Sequence, residues 1–514
     1  MPFVFVPFLL SLFINLGCQS REQRTPEPSP KRELRGVWIA TVDNIDWPRR
    51  GDYDPASQQQ HLRAILDVHQ TTGLNAVFVQ VRDAADAYYA RGTEPWSQWL
   101  TGQQGRAPEP FYDPMDFMIQ EAHGRGLEFH AWLNLNRAVF KGATSIAPDH
   151  ISRSRPEWML GYDGMKLFNM GLPEVRQYIT DIVVGIVRNY DVDGIHFDDY
   201  FYPYQVPGQV LRDEQTFRAY GAGFTNIEDW RRHNVDLLIK QISEGIRVEK
   251  RHVKFGISPF GVWKNRSPRD PDGSETRGGQ TSYYHLYADT RRWVQEGWVD
   301  YIAPQVYFNN GHKLVPHQPL VNWWLLNCPR RHLYIGQGAY RVGSRDSGWQ
   351  NLSELPGQVR FNRRNSRIGG TIFFSSKSLT NNLGGFQDTL RADLYRLPAL
   401  VPPMLWKDSI APNPPRRLSA IPDKQAVSLT WEAPPLAADG GTARYYVVYR
   451  FEAGREENLE NSANILAIRR PTEFMFTDER VRSGVRYVYI VTAFDRLHNE
   501  SSAIARVEVG VEDF

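Results

Sequence analysis

Cysteine is scarce in this 514-residue chain, which contains two, Cys18 and Cys328. Two cysteines so far apart in the chain, the second beside apolar tryptophans, exclude a fold built on a disulfide framework. The chain also lacks an excess of one sign of charge, because 60 Lys and Arg residues balance 58 Asp and Glu residues and leave a net charge of +2. This balance gives no case for a nucleic-acid partner. No glycine-rich phosphate loop follows the first predicted strand, which weakens a nucleotide-binding interpretation.

One apolar run near the N-terminus, residues 3–16, is too short to span a bilayer comfortably and is typical of a secretory signal. The run ends in Leu16-Gly17-Cys18, which resembles a bacterial lipobox, although no Lys or Arg precedes it and Asn15 stands where Leu is usual. We predict that residues 1–18 form a signal peptide and that Cys18 is lipidated, which would attach the protein to a membrane; ordinary secretion is the alternative. Because Gln19 follows the cysteine, the predicted location in a Gram-negative cell envelope is the periplasmic face of the outer membrane.

The remaining chain divides into a tether, a large alternating region, a linker and a smaller domain. Residues 19–33 are charged and contain proline, and residues 398–415 contain six prolines, so both are predicted connecting segments. Residues 34–397 alternate eight times between strand and helix patterns, which predicts an α/β fold, a single (β/α)8 TIM barrel; a doubly wound open sheet is the alternative. The predicted strands are Arg35–Thr41, Asn75–Arg82, Glu128–Leu135, Asp193–Tyr200, Lys254–Gly261, Tyr301–Phe308, His332–Arg341 and Gly369–Lys377.

Residues 416–514 change character, because short apolar strand patterns are separated by turn residues without helical periods. Trp431, the strand pattern Tyr445–Arg450 and the approach to Tyr489 are similar to those of fibronectin type III domains. The resemblance implies a small all-β sandwich. Such domains serve as spacers as often as binders, so contact with another envelope protein stays an open alternative.

The stretch from Asp193 to Tyr200 is the most informative of the predicted strands. Side chains of a strand alternate between two faces, so Ile195 and Phe197 share one face, while His196 and Asp198 share the other. In a barrel the apolar pair packs under a helix, and the polar pair points into the lumen near the carboxyl end, where barrel enzymes build their sites. The same parity and the neighbouring loops give further candidate binding residues, which are Gln80, Arg82, His130, Asn134, Ser258, Trp263, Gln305 and Tyr307.

Carboxylate chemistry on a sugar fits this set, because cleaving a glycosidic bond usually needs one carboxylate as nucleophile or base and a second as acid. Asp198 suits the first role, and His196 and Arg82 are expected to favour its ionised form. Parity supplies no second inward carboxylate. The candidates therefore lie in loops, with Asp199 and Glu275 favoured over Asp83, Asp86 and Asp272.

Metal chemistry is a weaker prediction. His130, His196 and Asp198 are possible zinc ligands, but no closely spaced ligand motif accompanies them. We therefore expect neither a catalytic metal nor a cofactor.

Five motifs lie within about residues 34–397: Arg35–Thr41, His130–Asn134, Phe168–Gly171, Asp193–Tyr200 and Ile257–Trp263. Together they resemble the bacterial glycosyl hydrolase-like ten family. The resemblance implies a barrel glycosidase of bacterial envelopes, and one branch of the family implies action on peptidoglycan glycan strands stripped of their peptides. The acidic position of the fourth strand maps onto Asp198, with Asp199 beside it.

Two other functions remain open from the sequence: a noncatalytic glycan-binding lipoprotein, and a glycosidase acting on another extracellular polysaccharide. The fourth strand also compares with the signature of family eighteen chitinases, Asp-x-x-Asp-x-Asp-x-Glu. In this chain His196 replaces the second Asp and Tyr200 replaces the catalytic Glu. A mechanism that uses that Glu is therefore excluded.

Overall fold

The computed structural model describes residues 29–423 and 425–511. Eight parallel strands follow one another around a closed barrel, and the eighth pairs with the first. This confirms the (β/α)8 prediction and excludes the open sheet. The strands are β1 (Leu34–Ile39), β2 (Ala76–Arg82), β3 (Glu128–Leu133), β4 (Gly194–Phe197), β5 (Lys254–Ile257), β6 (Tyr301–Ile302), β7 (His332–Gly338) and β8 (Ile368–Phe374).

One main helix follows each strand, and the sequence marks several of the helix ends. Asp54 caps the first helix by accepting a hydrogen bond from the Ser57 N–H at 2.8 Å, with Pro55 at the first position and Gly73 in the left-handed region at the end. The helices are α1 (Pro55–Thr72), α2 (Pro114–Gly124), α3 (Pro173–Asn189), α4 (Ile227–Glu249), α5 (Thr290–Gln295), α6 (His317–Asn327), α7 (Glu354–Arg363) and α8 (Phe386–Thr389, continued by a wider turn at Leu390–Leu394).

Shorter elements lie in the connections between these main elements. A three-stranded antiparallel sheet in the long loop after β3 contains Arg137–Val139, Met159–Tyr162 and Met165–Phe168. The short helices are Gln98–Thr101, Ile151–Ser154, Glu214–Tyr220, Ser282–His285, Ser347–Gln350 and Ser376–Thr380.

Barrel strands alternate between two apolar cores, as the parity argument requires. Val77 and Ile195 pack in the outer core under the helices, whereas Trp38, Phe78 and Tyr334 fill the lumen. The barrel is therefore a packed body, and its open chemistry is confined to the loops at its two ends.

Some strands end earlier than predicted. β6 contains two residues, and beyond it Gln305 makes isolated bridges to Phe260 and Gly336. β4 stops at Phe197. Early ends leave the polar residues in turns, where strand alternation no longer decides their direction.

The C-terminal region forms two antiparallel sheets, which confirms the all-β, fibronectin-like prediction. The strands are β9 (Arg416–Asp423), β10 (Ala426–Glu432), β11 (Tyr445–Glu452), β12 (Ile465–Arg469), β13 (Met475–Asp478), β14 (Arg486–Phe494) and β15 (Arg506–Gly510). One sheet has the order β9-β10-β13 and the other has the order β12-β11-β14-β15.

The described parts of both predicted connecting segments pack against the folded body. Glu33 pairs with Arg35 at 2.7 Å and with Arg363 at 2.6 Å, and Met404 lies in the lumen cluster. The segment around residues 398–407 is therefore part of the fold rather than a spacer. The predicted signal peptide and Cys18 lie outside the described residues.

Within residues 29–423 and 425–511, no helix is both long and apolar enough to cross a membrane.

Candidate active site

The carboxyl end of β4 carries two adjacent carboxylates. Asp198 and Asp199 follow the last strand residue in a turn, in which the Phe201 N–H donates to the carbonyl oxygen of Asp199 at 3.0 Å. Strict alternation would place the two side chains on opposite faces. Because the chain turns here, both carboxylates reach the same mouth of the barrel and influence each other electrostatically.

Three donors orient the carboxylate of Asp198, which is half-buried. The Trp132 indole N–H donates to Oδ2 at 3.1 Å, the Asn134 amide at 3.3 Å, and the Tyr200 backbone N–H donates to Oδ1 at 3.2 Å. Burial raises the pKa of Asp198, while the Arg137 guanidinium and these donors act to lower it. The donors fix the direction of the carboxylate and favour its charged form.

Asp199 lies deeper and is 3% exposed. The Tyr204 hydroxyl donates to its Oδ2, and the Gln305 side chain also hydrogen-bonds to it. Burial, followed by the negative charge of Asp198, raises the pKa of Asp199 to about 7. Two neighbouring carboxyl groups with unequal donor sets bind protons unequally, and Asp199 keeps its proton up to a pH of about 7.

Aromatic rings form the walls of this mouth. Tyr307 stacks on Phe374 with ring centroids 6.2 Å apart, and Tyr340 meets both rings edge-on. Tyr200 and Tyr340 are exposed. Burial, Tyr340 and the two carboxylates together raise the pKa of Tyr307, which therefore stays a neutral hydrogen-bond donor. Rings with polar edges around carboxylates suit a sugar, which has apolar faces and a polar rim.

Four of the predicted binding residues lie at this mouth. Asn134 contacts Asp198, Tyr307 forms the aromatic wall, and Gln305 donates to the Ser258 carbonyl at 3.0 Å while also bonding to Asp199. Within the described chain, the buried Ser258 Oγ has no hydrogen-bond partner.

The two predicted residues on β2 have structural partners instead. Gln80 Oε1 accepts from two backbone N–H groups after β1 at 3.1 and 3.0 Å. Arg82 is buried in a two-pronged ion pair with Glu94, with both N–O distances 2.7 Å. The expectation that Arg82 favours ionised Asp198 is wrong, because Arg137 is the cation that acts on that carboxylate.

His130 and His196 lie in the packed lumen, at 1% and 0% exposure, rather than on the wall of the mouth. His196 Nε2 accepts from the Trp38 indole at 3.0 Å, and His130 Nδ1 bonds to the Tyr301 hydroxyl at 2.9 Å. Burial and then His130 hold the pKa of His196 well below its usual range. Both rings are satisfied inside the barrel, which corrects the prediction that they bind substrate.

Two predicted residues of the loop after β5 are directed elsewhere. Trp263 is 4% exposed, stacks on Trp323 and donates to Asp289 Oδ1 at 3.0 Å. The Glu275 side chain is 68% exposed and pairs with Arg266 at the surface. Glu275 is therefore not the second carboxylate of this mouth, and that position belongs to Asp199.

Asp83 and Asp86, the loop candidates after β2, form a separate buried pair. Asp83 accepts from the Trp99 indole at 2.9 Å and Asp86 from the Gln104 amide at 3.1 Å. Burial and the neighbouring Asp83 raise the pKa of Asp86 well above its usual value. Both carboxylates are buried, at 0% and 2% exposure, and hydrogen-bond to groups of the loop after β2 rather than to the Asp198–Asp199 pair.

Sequence reasoning missed three residues that shape the mouth: Trp132, Arg137 and Tyr204. Parity already directed Trp132 inward, beside His130 and Asn134, and its indole N–H was a usable signal. Arg137 and Tyr204 follow the strand ends, where no periodic pattern predicts their direction.

A groove of about 480 Å³ lies beside this mouth, formed by the loop after β4. The Tyr204 backbone carbonyl accepts from the Tyr162 hydroxyl at 3.2 Å, so one residue joins Asp199 to the groove wall. Tyr202 and Tyr287 pack edge-to-face on the wall. The lining also includes Gln205, Gln209, Glu214, Arg231 and His285.

Comparison with known proteins identifies a family for each of the two domains. The family model described as "Glycosyl hydrolase-like 10" matches residues 33–351, and "Fibronectin type III domain SaeA third domain" matches residues 415–512. The chain belongs to the glycosyl hydrolase-like 10 family. It is 42% identical over 509 residues to "Glycosyl hydrolase YngK" of Bacillus subtilis, covering 98% of both chains. It is 39% identical over 366 residues to "Glycosyl hydrolase DigH" of Escherichia coli K12, covering 66% of this chain and 82% of that protein.

Membership in the glycosyl hydrolase-like 10 family makes this protein a glycosidase. Glycosidases commonly use two carboxyl groups held in different protonation states. At the mouth of this barrel, Asp198 and Asp199 lie next to each other with different hydrogen-bond donors. In the part of the chain that the structure describes, no group of three or more His, Cys, Asp or Glu side chains could hold a metal ion.

Proposed function

We propose that the protein cleaves glycosidic bonds in peptidoglycan glycan strands from which the peptides have been removed. The observation that carries the chemistry is the unequal pair at the carboxyl end of β4, where Asp198 has three donors and Asp199 is buried with a pKa of about 7. The resemblance of the barrel motifs to the envelope branch of the family supports the substrate class.

In this mechanism Asp199 is the general acid. It retains a proton near neutral pH and delivers it to the oxygen of the departing sugar as the glycosidic bond breaks. The proton that Asp199 gives up is restored when water is consumed. The Tyr204 hydroxyl then stabilises the carboxylate that forms.

Asp198 is the partner carboxylate in the same step. Held by Trp132 and Asn134, it either removes a proton from the attacking water or attacks the anomeric carbon itself. In both cases Asp198 is ionised and Asp199 protonated before the step, and Asp198 loses its charge as it takes the proton or forms the bond to the sugar. The aromatic walls at Tyr307 and Phe374 hold the sugar ring against the pair.

The groove beside the mouth is proposed to bind sugars of the strand beyond the cleaved bond. Its volume falls in the range of small-molecule sites, and its tyrosines and polar side chains suit sugar rings. Filling it with Val210→Trp should slow cleavage of long strands more than of short ones. Val248→Trp, on the exposed face of α4, is the matched control.

We also propose that the protein is a lipoprotein of the cell envelope, anchored through Cys18. The first described residues, from Ser29, bind to the C-terminal domain, where Lys31 pairs with Glu500 at 2.7 Å. The same domain contacts the amino end of the barrel through His498 and Glu128. Residues 18–29 would reach about 40 Å at most when extended. The mouth with Asp198 would then face away from the membrane and toward the wall. Incorporation of labelled palmitate, lost in Cys18→Ser, tests the anchor.

The function is tested with soluble protein from Ser20 onward, incubated with amidase-stripped peptidoglycan, intact sacculi and a panel of extracellular polysaccharides. We expect mass spectrometry to detect sugar products from the stripped strands and none with Asp198→Asn. Products from another polysaccharide alone would reject the peptidoglycan proposal. Absence of products from every glycan, with equal binding by wild type and Asp198→Asn, would favour the noncatalytic alternative.

A further inference from the structure

The amino-terminal mouth of the barrel contains a second buried cluster of charged and titratable groups. Glu128 begins β3, Lys254 begins β5, and His498 comes from the turn after β14 of the C-terminal domain. His498 Nε2 lies 2.6 Å from Glu128 Oε1, and Lys254 Nζ contacts both side chains. All three residues are less than 9% exposed. The C-terminal domain therefore supplies the imidazole ring that completes the charged cluster of the barrel.

The turn that carries His498 is rigidly built. Asp495 Oδ1 accepts from the backbone N–H groups of Leu497 at 2.8 Å and Asn499 at 2.9 Å, and its Oδ2 accepts from the Asn499 amide. Leu497 is 3% exposed and belongs to the lumen cluster, together with Trp38. The turn at residues 495–499 thus places an apolar side chain into the base of the barrel.

Additional contacts surround this turn on both sides. Asp300, before β6, accepts from Lys407 at 2.8 Å and from the Trp406 indole at 3.0 Å. Before β4, Asp191 pairs with Arg496 at 2.7 Å, and in α2 His123 bonds to Arg444 at 3.0 Å. These contacts lie along the amino ends of β3 to β6, and Leu497 in the lumen cluster places the turn over the lumen itself.

A chain of hydrogen bonds continues from the cluster through the lumen. Trp38 can only donate, so His196 Nε2 accepts and its Nδ1–H bonds to the Tyr301 oxygen at 3.1 Å. The Tyr301 hydroxyl then donates to His130 Nδ1 at 2.9 Å, and the His130 Nε2–H donates to Glu128 Oε2 at 3.1 Å. Every donor points toward Glu128. The direction of the hydrogen bonds in the lumen is therefore set by the Glu128 carboxylate, which His498 covers.

We propose that the fibronectin-like domain is a permanent stopper of the barrel, docked through the turn at residues 495–499, and not a mobile arm that recruits glycan or a partner. Undocking would expose Leu497 and the lumen to water. It would also remove one hydrogen-bond donor from a buried Glu128–Lys254 pair. A buried charge pair that loses a partner group is strongly destabilised. The proposal is independent of which glycan the enzyme cleaves.

A cleavable full-length protein tests the docking directly. A protease recognition sequence is inserted between the exposed Ile410 and Ala411, and the folded protein is cut and passed over a size-exclusion column. We expect the two fragments to elute together, because the domain stays seated after the link is broken. Separate elution of the fragments from the otherwise unmodified chain would overturn the proposal.

Variants identify the contact responsible. Leu497→Asp in the cleavable protein should release the C-terminal fragment, whereas Ile504→Asp, at a side chain 74% exposed in the same domain, should not. If Leu497→Asp does not fold, His498→Ala serves in its place. In the uncut chain, His498→Ala should speed amide hydrogen exchange at the first residues of β3 and β5 at least tenfold. Exchange equal to that of Ile504→Asp at both places would contradict the proposal.

Discussion

The two mouths of the barrel both hold buried carboxylates but treat them in opposite ways. At the carboxyl end, Asp198 and Asp199 are held by neutral donors, and burial leaves both with a raised pKa. At the amino end, burial alone would raise the pKa of Glu128, but Lys254 and His498 hold it well below its usual range. The carboxyl end thus has two carboxyl groups with raised pKa values, whereas the amino end keeps Glu128 ionised beside Lys254.

The difference shows how position in a barrel separates function from stability. A buried carboxylate that is not held in an ion pair costs folding free energy, and enzymes tolerate that cost where a proton must be moved. A carboxylate with a lysine and two histidines around it holds structure. The same residue type therefore predicts opposite effects of substitution at the two ends.

The largest expected effect is on turnover at the carboxyl end. Replacing the acid with Asp199→Asn removes the transferable proton and should lower kcat about 10²- to 10⁴-fold with little change in fold. Release of reducing sugar over time measures this. Glu275→Gln is the matched control, since that carboxylate is exposed and paired with Arg266, and its kcat should stay within about twofold of wild type. A large loss in Glu275→Gln would contradict the assignment of Asp199.

The next effect is on stability at the amino end. Glu128→Gln leaves Lys254 buried without its counter-charge and should lower the free energy of unfolding by about 3–5 kcal/mol. Urea unfolding followed by circular dichroism measures this. The control is Glu457→Gln, which breaks a surface pair with Arg506 and should leave the free energy of unfolding nearly unchanged. Equal losses in the two variants would remove the contrast between buried and surface pairs.

Removing a carboxylate at the carboxyl end should raise the free energy of unfolding instead of lowering it. The folded pKa of Asp199, about 7, exceeds its unfolded value, so its ionisation destabilises the fold as pH rises through 7. Asp199→Asn should therefore stabilise the protein at pH 8 by about 1–4 kcal/mol. At pH 4 it should have little effect, because the folded protein then carries a neutral side chain at this position in both the wild type and the variant. Thermal melts of wild type and variant at each pH test the sign. Destabilisation by Asp199→Asn at pH 8 would show that the carboxylate is compensated after all.

The barrel and the sandwich could be predicted because alternation and repeated strand-helix units depend on local sequence. The mouth was only partly predictable. Asn134 and Tyr307 lie where parity put them, and Asp199 enters because the chain turns after β4. His130 and His196 follow the same strand parity as Asn134 and Asp198, yet they lie inside the lumen and are linked to each other through the Tyr301 hydroxyl.

Long-range partners account for the remaining errors. Arg82 is neutralised by Glu94, a loop residue that no strand period connects to it. The prolines of residues 398–415 favoured a spacer, but the contacts that dock the C-terminal domain, such as His498 with Glu128, join residues far apart in the chain. Pairings of this kind depend on the closed fold and leave no local pattern.

The smallest expected effect is a shift in the pH profile, and it probes the carboxyl-end pair most finely. Activity needs ionised Asp198 and protonated Asp199, so kcat should fall toward acid and again above a pH near 7. The hydrogen bond from Tyr204 lowers the pKa of Asp199, so Tyr204→Phe should raise that pKa and move the basic limb to higher pH. Arg137 lowers the pKa of Asp198, so Arg137→Gln should move the acidic limb to higher pH instead. A structural disturbance of the mouth would lower kcat at every pH without moving one limb alone, so two variants that each shift a different limb would separate the roles of the two carboxylates.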